Sequence, residues 1–280
     1  MRTFVSAVAV LIGLVLAAVA VPAMWVDRNI VQEDGFVAFT APLGKDPAFQ
    51  ERLAAASVGS LGADRIPQAL TGLVTPILES AAQSLTSMPG YPDAWTETLR
   101  KSHRLNFAGP AAVPAEADGV TALTLDLAPL VGLVAQRVAD ATTLPLEAPD
   151  QLLVTIGQPE HRQVLDRVAA FAPMGYAVAV GALIAFALAF VAARRRWAVL
   201  AGIGVGTLVL AGFWTLAADT AGRAVTATSS GNEVAEIFKN EFVVAAGSSF
   251  GQWVLAAAIV GAVLLAAGLV LRIVGGRRRA

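Results

Sequence analysis

The sequence predicts an α-helical membrane protein: four transmembrane helices carrying an α-rich α+β extracytoplasmic domain with a small β-sheet. Three observations predict it. Of 280 residues, 56% are hydrophobic and 15% charged, against about 25% charged in ordinary globular chains. A soluble protein of this length has too much surface to cover with so few charges. Four long runs carry no charge, and about 20 apolar residues suffice to cross a hydrocarbon core roughly 30 Å thick. The charges are also segregated along the chain, which fixes an orientation.

The expected segments run in order. Residues 1–26 hold the first span, apolar from Thr3 to Val26. Residues 27–167 form the external domain. Residues 168–193 are the second span and 194–196 a cytoplasmic arginine turn. Residues 197–218 are the third span, 219–241 a short external loop, 242–271 the fourth span and 272–280 a basic tail. Eight arginines flank the spans on one side: Arg2, Arg194, Arg195, Arg196, Arg272, Arg277, Arg278 and Arg279. No acidic residue accompanies them. The remaining segments hold twelve basic and twenty-one acidic residues, a net −9. Loops rich in arginine stay in the cytoplasm, so both termini are expected there, in a multi-pass plasma-membrane protein. Arg194, Arg195, Arg196, Arg277, Arg278 and Arg279 are the main topology determinants. Trp25, Trp197 and Trp253 sit at span ends, where amphipathic rings favour the interface. A cleavable signal peptide is the rival for the first span, because Ala18-Val19-Ala20 resembles a small-residue cleavage site. The apolar run continues to Val26, long enough to serve as an anchor.

Within residues 27–167, Asp46-Pro47 reads as a helix start, with Asp as N-cap and Pro in the first turn. Gly62 ends that helix. A second helix is expected over about 66–88, kinked or split at Pro76. Pro89-Gly90-Tyr91-Pro92 is a turn. A third helix follows over 93–107, with Asp93 and Glu97 early and Arg100, Lys101, His103 and Arg104 late, an order that complements the helix dipole. Residues 109–119, rich in Gly, Pro and Ala, form a linker. Leu123 to Leu127 alternates as a half-buried strand, residues 129–140 form a short helix, and 152–156 a second strand. The two strands are natural partners, parallel or antiparallel. A helix from 158 to 167 leads towards the second span. In the short external loop, Val234, Ile237, Phe238 and Phe242 fall at helical spacing, an amphipathic helix over 232–242.

This order of features resembles a family of uncharacterised actinobacterial integral membrane proteins, with one N-terminal span, a large external domain and three clustered C-terminal spans. The likeness rests on Phe36-Val37 through Ala41-Pro42-Leu43 to Asp46-Pro47-Ala48-Phe49-Gln50, on Trp95 with His103 eight residues later, and on Leu125-Asp126-Leu127-Ala128-Pro129-Leu130. It implies a bacterial plasma membrane and the same topology; it carries over no activity.

Few residues suggest chemistry. Cysteine is absent, which excludes disulfides and thiolate chemistry. His103 and His161 are the only histidines, and no spacing gathers metal ligands around them. His103 is expected to be structural or to terminate a helix, and Trp95 to anchor a core; each is also a candidate for ligand or partner contact. Gly202 and Gly206 form a small-xxx-small face suited to helix packing, as do Gly247 and Gly251. No span contains an ionisable residue of the kind that proton- and ion-coupled carriers use. No cofactor motif occurs, and no basic stripe on the acidic side would bind nucleic acid. The leading expectation is a non-enzymatic envelope protein, a binding, scaffold or accessory subunit that contacts membrane lipids and an envelope protein or polymer. The rivals are an envelope enzyme with a site near His103 and a subunit of a lipid or small-molecule transporter.

Overall fold

A computed structural model describes residues 2–53, 84–107, 123–142, 150–155, 159–229 and 233–277. The charge-free runs become helices because hydrocarbon offers no partner for an unpaired backbone group. Among the described residues four helices are long and apolar enough to cross a membrane. Helix α1 spans Arg2–Val26 and continues as a π-helical turn, Asp27–Val31. Helix α2 covers Glu33–Thr40, followed by a 3-10 turn, Ala41–Lys45, and a helical stretch over 47–53. Helix α3 is Tyr91–Phe107 and α4 is Ala128–Thr142. Helices α5 (Pro159–Phe171), α6 (Met174–Ala192), α7 (Arg196–Thr226) and α8 (Glu233–Arg277) complete the chain. Strands β1 (Thr124–Asp126) and β2 (Leu153–Thr155) pair antiparallel, Leu125 opposite Val154.

Several bounds differ from the sequence expectation. The helix entering the second span stops at Phe171 and α6 begins at Met174, six residues later than expected. Pro173 supplies no N–H, and residues before proline disfavour the α region. The third span continues eight residues past Ala218, to Thr226. The amphipathic helix expected over 232–242 is not a separate element: residues 233–242 are the first turns of the 45-residue helix α8. Helix α3 begins two residues early, at Tyr91, where Gly90 takes φ +88° and so makes the turn that other residues resist. Strand β1 is buried on both faces rather than one. The expected helix over 66–88 to residue 83, its Pro76 kink, the helix end at Gly62 and the linker at 109–119 lie outside the described residues.

The chain folds into two compact units. The first comprises Met1–Arg28, Val168–Val225 and Ala246–Ala280. Its buried positions are mostly small: Ala20, Ala182, Ala185, Ala189 and Ala211, with Val199, Ile203, Trp214 and Val254. Gly204 lies against the backbone of α8, where an added Cβ would come within 2.5 Å of the Leu265 nitrogen and 2.6 Å of the Gly261 oxygen. Gly268 meets Ala201 and Trp197 backbone in the same way, and Gly206 meets the Leu14 side chain. Of the glycines expected to pack, only Gly206 does so among the described residues. Gly202, Gly247 and Gly251 have nothing within 4 Å of a would-be Cβ. The close approach uses Gly204, Gly261 and Gly268, because the facing surface of α8 runs along Gly261 and Leu265.

The second unit comprises Asn29–Arg167 and Thr226–Ala245. Its core joins Phe49, Leu53, Trp95, Leu99, Leu125, Leu127 and Leu130 with Val37, Val234 and Phe238. Asp46 caps the 47–53 helix as expected: its Oδ1 accepts from Ala48 N at 3.0 Å and Phe49 N at 3.2 Å.

Candidate functional site

Both residues singled out from the sequence lie on α3, and the fold buries both. Apolar spacing and the Gly90 turn set this helix so that Tyr91, Trp95, Thr98, Leu99, Ser102, His103 and Asn106 face inward. The Trp95 indole fills the notch over Gly44 that a side chain would close, since a Cβ there would stand 2.3 Å from the ring. Phe49 meets it edge-on at 6.1 Å. Trp95 is therefore an anchor of the core, as its apolar neighbours on the helix suggest.

His103 has a different partner. Its Nε2 donates to the Ile30 carbonyl at 3.0 Å, near the end of the π-helical turn, where helix termini leave carbonyl groups unpaired. The ring stacks on Phe107 at 4.4 Å and leans on Phe36 at 5.1 Å. Burial pushes its pKa below the ordinary histidine value, while the Ile30 carbonyl, Glu33 and the Val31 carbonyl pull the other way. This geometry ties α3 to the segment leaving α1; it leaves Nε2 engaged rather than turned to a substrate. The side chain of His161 lies outside the described residues.

Around His103 runs a buried polar junction that the sequence reading missed. The Asn106 amide acts as a strand edge: its Nδ2 donates to the Thr124 carbonyl at 2.7 Å and its Oδ1 accepts from Thr124 N at 2.9 Å. Ser102 Oγ accepts from Asp126 N at 2.9 Å and donates to the Thr98 carbonyl at 2.6 Å. Asp126 Oδ1 accepts from Ala128 N and Leu152 N, each at 3.0 Å. One carboxylate thus starts α4 and holds the approach to β2. The only signal for this in the sequence is Asp before Leu-Ala-Pro, a helix-start pattern.

Among the described residues, Tyr91 Oη, Trp95 Nε1 and Thr98 Oγ1 on α3 are buried without a hydrogen bond. They fall at i, i+4 and i+7, one face of the helix. Tyr91 is 3%, Trp95 2% and Thr98 0% exposed. Burial also raises the Tyr91 pKa well beyond its ordinary value, so the phenol stays protonated. Among the described residues, no group of three or more His, Asp or Glu side chains is gathered to hold a metal ion.

The arginines that mark topology gather at one end of the helical unit. Ser6 Oγ donates to the Ala189 carbonyl at 2.9 Å, which sets the start of α1 beside the end of α6. Gly268 against Trp197 and Ala201 sets the end of α8 beside the start of α7. Arg2, Arg194, Arg195, Arg196 and Arg272 therefore share one end. The side chain of Arg277 and all of Arg278 and Arg279 lie outside the described residues. Comparison of the chain with protein-family models, with curated proteins and with solved structures gives no match.

Proposed function

We propose that this is a bacterial plasma-membrane protein with cytoplasmic termini, whose second unit lies outside the membrane and acts as a non-enzymatic binding or scaffold module. The observation that carries the reading is the row Tyr91, Trp95 and Thr98. A buried hydrogen-bonding group left unmet costs about 1–3 kcal/mol, so three on one helix face favour a polar ligand or partner segment that meets them. All three are neutral at physiological pH. An indole N–H only donates, and a phenol of raised pKa holds its proton. Such groups hold and orient an oxygen-rich partner; they are poor proton-transfer groups near neutrality. The outward placement is supported by the arginine-rich end of the helical unit, which the positive-inside rule assigns to the cytoplasm.

Native mass spectrometry of the full chain, extracted gently from its own membrane, tests the binding reading. A companion at fixed stoichiometry is expected, retained by the wild type and lost from the Tyr91→Phe, Thr98→Val double variant. A bare wild-type protein, or equal retention by the variant, overturns it. Topology is tested separately, because the chain has no native cysteine. An impermeant maleimide should label Asp93→Cys in intact cells and Arg195→Cys only after lysis; the reverse pattern refutes the orientation.

A further inference from the structure

We infer that the arginine-rich end of the helical unit is a binding surface for an anionic phospholipid headgroup, a site separate from the α3 row. The inference rests on the membrane-spanning reading of the four helices. Arg194 and Arg195 lie in the three-residue connection from α6 into α7, Arg196 opens α7, and all three are exposed. Arg272 approaches from α8. None of these four forms an ion pair with a carboxylate among the described residues. None could find one nearby in sequence, because residues 168–218 and 242–280 contain no Asp or Glu.

Two of the four are nonetheless held in place. The Arg196 guanidinium lies 5.4 Å from the centroid of the Phe190 ring. The Arg272 guanidinium lies 5.0 Å from that of Trp197. A cation over an aromatic face is ordered without being neutralised, so each guanidinium keeps its donors for another partner. The Trp197 pairing also joins the start of α7 to the end of α8, so two helices contribute to one surface. Arg196 stands at the N-terminal end of α7, where the helix dipole opposes a cation, and an incoming anion relieves that conflict. Guanidinium groups suit phosphate oxygens by their planar, forked donors. Arginines held against Phe190 and Trp197 at the ends of membrane-spanning helices fit the phosphodiester of a lipid better than a free ion in water.

The test uses the purified full chain in detergent, titrated with phosphatidylglycerol or phosphatidylcholine and read by native mass spectrometry. Phosphatidylglycerol should be retained preferentially. Each arginine removed, in Arg195→Gln or Arg272→Gln, should lower its affinity by about five-fold. Trp197→Leu keeps every charge but removes the ring that holds Arg272. It should weaken phosphatidylglycerol about two- to three-fold while leaving phosphatidylcholine unchanged. A thermal melt in detergent accompanies each variant, and any that fails to fold is replaced by Arg195→Lys, which should lose less than Arg195→Gln. Equal retention of the two lipids overturns the inference. So does a Trp197→Leu protein that binds as the wild type does, which would reduce the site to diffuse charge. Displacement of phosphatidylglycerol by excess inorganic phosphate would identify a free-anion site and overturn the lipid assignment.

Discussion

The two units bury opposite kinds of side chain. In the α+β unit, the large residues turn inward: Trp95, Phe49, Leu99 and Leu125 are essentially inaccessible. In the helical unit the inside is mostly alanine and glycine, with Val199, Ile203, Trp214 and Val254 among them, while Leu11, Leu183, Leu188, Phe213, Leu216 and Leu255 are each at least 60% exposed. The same chain therefore follows two solvents. Water drives large apolar side chains together; hydrocarbon gives no such drive, and helices there associate through close packing and hydrogen bonds. Polar groups differ in parallel. The α+β unit knots Ser102, Asn106, Thr124 and Asp126 into one junction. The helical unit uses separate links between helices, such as Trp214 Nε1 to the Ala18 carbonyl at 3.0 Å and Trp25 Nε1 to Ser249 Oγ at 3.1 Å.

Truncation is the strongest way to break this contrast. Trp95→Ala should destabilise the α+β unit by about 4 kcal/mol, the range for deleting a buried aromatic. Leu183→Ala, on the outward face of α6, should change stability by less than about 0.5 kcal/mol, since the side chain is 67% exposed and little of it packs on the protein. Denaturant or thermal unfolding in detergent, read separately for each unit, checks both. Comparable losses would mean that the exposed apolar face is covered by protein rather than lipid.

A second substitution sharpens the polar side of the comparison. Asn106→Leu keeps volume and removes the amide that pairs with both Thr124 backbone groups. Two buried groups lose their partner, for a loss of about 3 kcal/mol. Hydrogen exchange at the Thr124 amide should accelerate along with the drop in stability. Unchanged exchange would show that the junction does not hold β1.

Glycine tests the packing side. Gly204→Ala forces a methyl onto the backbone of α8 and should destabilise the helical unit by about 2 kcal/mol. Gly202→Ala, Gly247→Ala and Gly251→Ala meet open space and should be neutral or slightly stabilising. A penalty at Gly202 or Gly251 similar to that at Gly204 would reveal a second copy against those faces.

The helical unit was legible because its rule is one-dimensional: a run of about twenty uncharged residues becomes a helix whatever its neighbours do. The α5–α6 break was readable in principle, since Pro173 stands inside the expected span. Hydropathy averages over a proline and so placed the span too early. Which of Gly202, Gly204 and Gly206 packs was not readable, because helical spacing gives candidate faces and only the partner helix selects among them. In the α+β unit, the Asp46 cap, the two strands and the Trp95 anchor followed from local pattern. The Asn106–Thr124 pairing and the His103–Ile30 bond join residues 18 and 73 positions apart, and no local signal reports such contacts. The merging of residues 233–242 into α8 was missed for a related reason. An amphipathic stretch and an apolar one look like separate elements, yet α8 changes surroundings along its length without changing conformation.

The smallest expected effect concerns His103 and asks whether the α+β unit depends on pH through one buried link. In the unfolded chain a histidine titrates near 6.5. In the folded protein burial lowers that value, so between the two values the unfolded state binds more protons. Stability therefore rises with pH across that window. It is fully present above the unfolded pKa, declines as pH falls below about 6.5, and stops declining below the folded value. The groups facing the ring set the size of the effect. Glu33 favours the charged form and reduces the loss. Arg100, 4.0 Å from Glu33 and 3.9 Å from Asp34, competes for those carboxylates and restores part of it. His103→Gln keeps a donor for the Ile30 carbonyl but cannot titrate, so its stability should be flat where the wild type slopes. Unfolding midpoints of the α+β unit at several pH values from about 5 to 8 compare the two. A slope that persists in His103→Gln would assign the proton to another group and leave the Ile30 bond as a purely structural link.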